Sequence, residues 1–121
     1  MMNNSIIGQK SFEFAILVVN TYKQIVSDHK EYVLSRQFLR SGTSVGANVK
    51  EAQNAQSKAD FIHKLSISLK EAGETEYWIE LLYQTNYINK LVYQNIKDSV
   101  TELLKMLTAI IKTTKNNLTK K

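Results

Sequence analysis

What most constrains this chain is an absence: 121 residues contain no proline, and only four glycines. Proline removes a backbone donor and clashes with the preceding helical turn, so without it long helices can run unbroken. Turn-rich β folds draw on both residues at their corners. The pattern that fills the chain is helical, with apolar residues recurring every three or four positions. Four stretches carry it, at about 10–27, 34–54, 58–86 and 90–114, joined by short links that make consecutive helices antiparallel neighbours. The expected fold is all-α, an antiparallel up-and-down four-helix bundle, with residues 1–121 as a single domain.

Composition narrows the chemistry. There is no cysteine, which excludes disulfides and thiolate metal sites. His29 and His63 lie far apart and form no metal-ligand pair. The longest apolar run, around Ala15–Val19, falls far short of the roughly 20 residues that span a bilayer. Residues 1–5 lack the basic region and apolar core of a secretory signal. A cytoplasmic protein with no membrane association, no cofactor and no metal is expected.

Helix 1 places Phe12, Ala15, Ile16, Val19, Tyr22 and Val26 on one side, and Phe14, Val18 and Ile25 widen that side to an arc of about 200°. One bundle core needs only about 100–140°. The excess points to burial on a second side, by another subunit or by a thick internal core. In helix 2, Gly42 and Gly46 share a face among small residues. Each costs about 1 kcal/mol relative to alanine, which close approach of a neighbouring backbone would offset. In helix 3, Ser57 and Asp60 stand at capping-box spacing. Its stripe is Phe61, Ile62, Leu65, Leu69, Ala72, Ile79 and Tyr83. Helix 4 has Val92, Ile96, Val100, Leu103, Leu107 and Ile110, followed by a tail expected to fray.

Glu76 falls on the apolar stripe of helix 3 and so needs a partner, because burying a lone carboxylate costs several kcal/mol. Antiparallel registration about a turn at residues 56–57 sets it opposite Gln37, so a structural ion pair with Arg40 or Arg36 is expected. Ser41-Gly42-Thr43-Ser44-Val45-Gly46 has neither the spacing nor the preceding strand of a phosphate-binding loop. Glu71, Glu74, Glu76 and Glu80 lack the Glu-x-x-His pattern of carboxylate-bridged metal bundles. No histidine closely follows Arg36 or Arg40 as in a helical ribonuclease, and no nucleophile has a local base. The chain reads as a non-enzyme.

Charge is distributed unevenly. Residues 1–80 hold nine Lys/Arg and nine Asp/Glu, so the net +5 resides in residues 81–121. Lys97, Lys105 and Lys112 recur every seven or eight positions along helix 4, and Lys115, Lys120 and Lys121 extend the charge. Such a stripe can neutralise phosphates of RNA or DNA, or simply be a solvated face. The candidate contacts are Lys97, Lys105, Lys112 and Lys115, with Arg36 and Arg40 weaker.

Two strings carry a family resemblance. One is Arg36-Gln37-Phe38-Leu39-Arg40-Ser41-Gly42-Thr43-Ser44-Val45-Gly46-Ala47-Asn48-Val49-Lys50-Glu51-Ala52. The other is Asp60-Phe61-Ile62-His63-Lys64-Leu65-Ser66-Ile67-Ser68-Leu69-Lys70-Glu71-Ala72, continuing through Glu74-Thr75-Glu76-Tyr77-Trp78. Together they resemble the bacterial four-helix-bundle family of proteins encoded in intervening sequences of 23S rRNA genes. The resemblance implies a ring-like homopentamer. It also implies kinship with the accessory protein of diversity-generating retroelements, a basic pentamer that binds nucleic acid and a reverse transcriptase. The reading that results is a non-enzymatic homo-oligomer binding RNA or DNA through helix 4. The alternative is a protein–protein interaction scaffold that touches no nucleic acid.

Overall fold

The computed structural model describes residues 6–119. Within it α1 spans Ile6–His29, α2 Leu34–Gln53, α3 Lys58–Gln84 and α4 Lys90–Thr119. Each helix packs against the next, and α1 meets α4 in the least extensive of the four contacts, closing an up-and-down bundle. No strand occurs among the described residues.

The links show why the helices stop where they do. After α3, Asn86 takes a left-handed backbone at φ 69°. Its N–H donates to the Tyr83 carbonyl, and that of Tyr87 to the Leu82 carbonyl, the paired bonds of a Schellman ending. The Asn89 side chain then accepts from the Val92 N–H at 2.9 Å and starts α4. Ser57 starts α3 by accepting from the Asp60 N–H at 3.0 Å. At the start of α2, Val33 cannot cap, and Glu31 takes over from two residues earlier. Its carboxylate accepts the N–H groups of Val33, Leu34 and Ser35 at 2.8–2.9 Å. Burial alone would raise the Glu31 pKa. The three backbone donors outweigh it and hold the carboxyl below its ordinary value.

Packing depends on how thin α2 is. A Cβ on Gly42 would lie 2.7 Å from both Val18 γ-carbons of α1, and one on Gly46 would lie 3.1 Å from the Ser11 carbonyl oxygen. On the α3 side, Ser68 donates to the Val45 carbonyl at 2.8 Å, and the hydroxyls of Ser41 and Thr75 lie 2.9 Å apart, all buried. Small residues thus let both neighbours approach α2 closely, while each buried hydroxyl keeps a partner.

That approach selects an unexpected face of α1. Its buried residues are Ile7, Ser11, Phe14, Val18, Thr21 and Ile25, whereas Phe12 is 67% and Ile16 48% exposed. Of the expected stripe, Phe12 and Ile16 face outward and Ala15, Val19, Tyr22 and Val26 are half-buried, while the residues that widened it, Phe14, Val18 and Ile25, form the buried face, a correction to the sequence reading. Hydrophobicity ranks Ser11 and Thr21 as surface residues. Their hydroxyls bond to the Gly8 and Leu17 carbonyls within α1 and so tolerate burial. The same face carries α1 back to Ile6, beyond the expected start near residue 10, because Ile7 belongs to the core.

In α3 the buried set is Leu65, Ser68, Ala72, Thr75, Ile79 and Leu82, with Phe61, Ile62, Leu69 and Tyr83 at the margin of the core. In α4, Ile96, Val100, Leu103 and Leu107 are buried as expected, and Ile111 joins them. Burial at Ile111 helps carry α4 on to Thr119, where a frayed tail was expected from residue 115. Lys120 and Lys121 lie outside the described residues.

Gly42, Gly46 and Gly73 should respond differently to alanine. Gly42→Ala should cost a net ~1–2 kcal/mol, overpacking against Val18 minus the propensity gained, and Gly46→Ala less. Gly73, where an added methyl group would meet nothing within 4 Å, should gain up to ~1 kcal/mol. Thermal melts check this, and equal shifts at all three positions would refute the packing account. Glu31→Gln should lower stability at neutral pH by about 1 kcal/mol. Because the native pKa is depressed, the carboxylate's contribution is full above about 4.5 and is lost as pH falls through the native value. The gap between wild type and variant should therefore close in acid. A gap independent of pH in denaturant titrations would rule out the charge as its source.

Candidate nucleic-acid interface

At about 100° per residue, Lys105 and Lys112 lie within about 20° of each other on the side of α4 turned away from the core. Both are exposed, as is Lys115. Lys97 is half-buried. Its ammonium lies 3.3 Å from the Glu76 carboxylate of α3, so this candidate contact is already neutralised within the bundle. Glu102, the last acidic residue in the chain, is bound to Lys10 of α1 at 3.2 Å.

The Glu76–Lys97 pair corrects the expected pairing of Glu76 with Arg40 or Arg36. Arg40 instead bonds to Glu74 at 2.6 Å and lies 3.4 Å from Glu71. Arg36 is exposed in the first turn of α2. Residues 74 and 76 are two positions apart, hence about 200° apart around α3. Glu74 faces α2 and Glu76 faces α4. Antiparallel registration finds the right level for an ion pair, but the side is set by where each helix sits around the core. Glu74 is held below the ordinary carboxylate value, first by the Trp78 indole N–H at 3.1 Å and then by Arg40.

Further along the α3–α4 seam, the Tyr93 hydroxyl donates to Glu80 at 3.1 Å and its ring stacks on Tyr83 at 4.0 Å. The bond to the Glu80 carboxylate, aided by burial and by the negative charge itself, pushes the phenol up to about 12. Sequence periodicity offered no signal for this pair, since both residues flank the apolar stripes. The glutamates of α3 thus each meet a cation or a phenol. Among the described residues no group of three or more His, Cys, Asp or Glu converges as metal ligands would. No described helix is long and apolar enough to cross a membrane.

A second surface has different chemistry. A groove of about 710 Å³ runs between α1 and α2, lined by Phe12, Ala15, Gly46 and Ala47, with Lys50 and Gln53 among its polar residues. It lies beside the exposed Phe12–Ile16 face of α1.

The fold and its surfaces define a small helical-bundle protein with one basic and one apolar outer face. Residues 3–109 match the family described as 23S rRNA-intervening sequence protein, and the chain belongs to that family. A solved structure with 56% sequence identity and a TM-score of 0.87 covers 88% of this chain and 99% of its own. It is a protein of unknown function from the S23 ribosomal protein family of Bacteroides thetaiotaomicron VPI-5482. No curated protein matches the chain. Lys112 and Lys115 lie beyond the residues matched by the family.

Arg40→Met should cost up to ~1 kcal/mol, a partly exposed pair of ion contacts being worth little more. It should also let Glu74 titrate closer to its ordinary value of 4.5. Carboxyl-detected NMR titration reads this directly. An unmoved Glu74 would show that Trp78 alone holds its charge.

Proposed function

We propose that this chain is the non-enzymatic subunit of a cytoplasmic homo-oligomer that binds RNA or DNA through the basic outer face of α4. The observation that carries the reading is the exposure of Lys105 and Lys112 on one side of a helix after which no acidic residue follows Glu102. Lysines held this way replace counterions on a phosphate backbone, giving sequence-independent binding that weakens steeply with salt. Lys115 extends the surface, and exposed Arg36 is a weaker candidate. Lys97 and Arg40 leave the set because carboxylates already occupy them.

Self-association is supported by the outward apolar face of α1 and the groove beside it, since such patches on a small protein commonly mark interfaces. A ring of five is what the resemblance implies. Assembly would repeat the lysine stripe and raise avidity with no new contact. The same apolar face also suits the alternative, a scaffold that recognises another protein and binds no nucleic acid.

Binding of mixed-sequence RNA and of duplex DNA, compared at about 50 and 200 mM salt, tests the reading. The triple variant Lys105→Ala, Lys112→Ala, Lys115→Ala should bind more weakly with a flatter salt dependence. An unchanged slope would remove these lysines, and no binding by the wild type at low salt would favour the scaffold. Sedimentation of the same samples should show an assembly that Phe12→Ser with Ile16→Ser reduces to monomer.

A further inference from the structure

Nothing inside the bundle explains Gly73. It stands midway along α3, exposed, and a Cβ built on it would meet nothing within 4 Å. Glycine weakens a helix interior relative to alanine, because it adds freedom to the unfolded chain. At Gly42 and Gly46 the close approach of α1 offsets that cost. No helix of its own chain approaches Gly73.

The face around Gly73 has the features of half an interface. At about 100° per residue, Lys70, Gly73 and Tyr77 fall within an arc of about 60°. Tyr77 is 60% exposed, and its ring makes a T-shaped contact with Trp78 at 5.0 Å. The Trp78 indole is tied to Glu74 at 3.1 Å, and Glu74 to Arg40. Tyr, Trp and Arg are the side chains that most often anchor protein contacts, and bare backbone beside them admits a second helix.

The other half lies on α1. Away from helix ends and links, the exposed large apolar side chains among the described residues are Phe12 and Ile16 of α1 and Tyr77 of α3. These two helices do not pack against each other, so one copy cannot join the two faces. Their heights agree. Val18 packs on Gly42 and Thr75 meets the adjacent Ser41, so residues 18 and 75 lie nearly level on either side of α2. Ser11 at Gly46 and Ser68 at Val45 repeat the relation. Because α1 and α3 run in the same direction, Ile16 is level with Gly73, and Glu13 with Lys70, within about one residue. Copies related by rotation about an axis along the bundle keep these heights. Exposed Glu13 beside one face and exposed Lys70 beside the other then supply opposite charges at one level.

We infer that the Gly73–Tyr77 face of α3 is the docking site for the Phe12–Ile16 face of α1 in a second copy of this chain. The inference rests on the self-association reading above and names the surface that receives α1. The contact is heterologous, since each copy offers two different faces, and such contacts repeat around a ring or along a filament.

The chain has no cysteine, so introduced cysteines report the contact without background. The double variant Ile16→Cys, Lys70→Cys, treated with a short bismaleimide, should give a ladder of cross-linked copies. Each single variant should give none. Gly73→Gln puts a strong helix former at an exposed position, so the isolated subunit should keep its helical circular dichroism. In sedimentation, however, it should need at least tenfold more protein than wild type to assemble. If wild type assembles but Gly73→Gln assembles as readily, or Ile16→Cys copies cross-link to one another, or the double variant gives no ladder, then α1 docks elsewhere while self-association stands. If wild type sediments as a monomer throughout, the site and the reading beneath it both fall.

Discussion

The thinness of α2 governs the rest of the bundle. Gly42 and Gly46 bring α1 within van der Waals distance, and Ser41 and Val45 receive Thr75 and Ser68 of α3. A close approach on both flanks leaves little freedom in rotation or register. With Val18 set against Gly42, α1 must turn Phe14, Val18 and Ile25 inward, and Phe12 and Ile16 are left outside. The exposed apolar face of α1 is therefore a consequence of packing against α2.

The same contact sets the electrostatics. Two hydroxyl contacts between α2 and α3 fix which glutamates face which helix. Glu71 and Glu74 meet Arg40, and Glu76 is delivered to α4 and Lys97. These pairs are partly exposed, and each adds little to stability. Their larger effect is on what remains available: they consume Arg40 and Lys97 and leave the basic character to the distal half of α4.

Much of this was legible beforehand. The bounds of α2, the start of α3 at Ser57 and the start of α4 follow from caps and periodicity, which act over a few residues. The core of α4 follows from its clean apolar stripe. Glu76 shows where such reasoning stops. Its level along the bundle was recoverable from antiparallel registration, but its side was not, because rotation about the helix axis is decided by neighbours distant in sequence. Helix 1 fails for a related reason. Its apolar residues cover so wide an arc that hydrophobicity alone cannot choose the buried half, and the choice falls to the glycines of α2.

By itself, then, the amino-acid sequence determined the helices, their order, the family and the excess of lysine near the C-terminus. All of these depend on residue type and local spacing. Only the tertiary structure decided which face of α1 is covered and which carboxylate neutralises which cation. These depend on close packing between elements, which fixes rotation and register together and which no local pattern encodes.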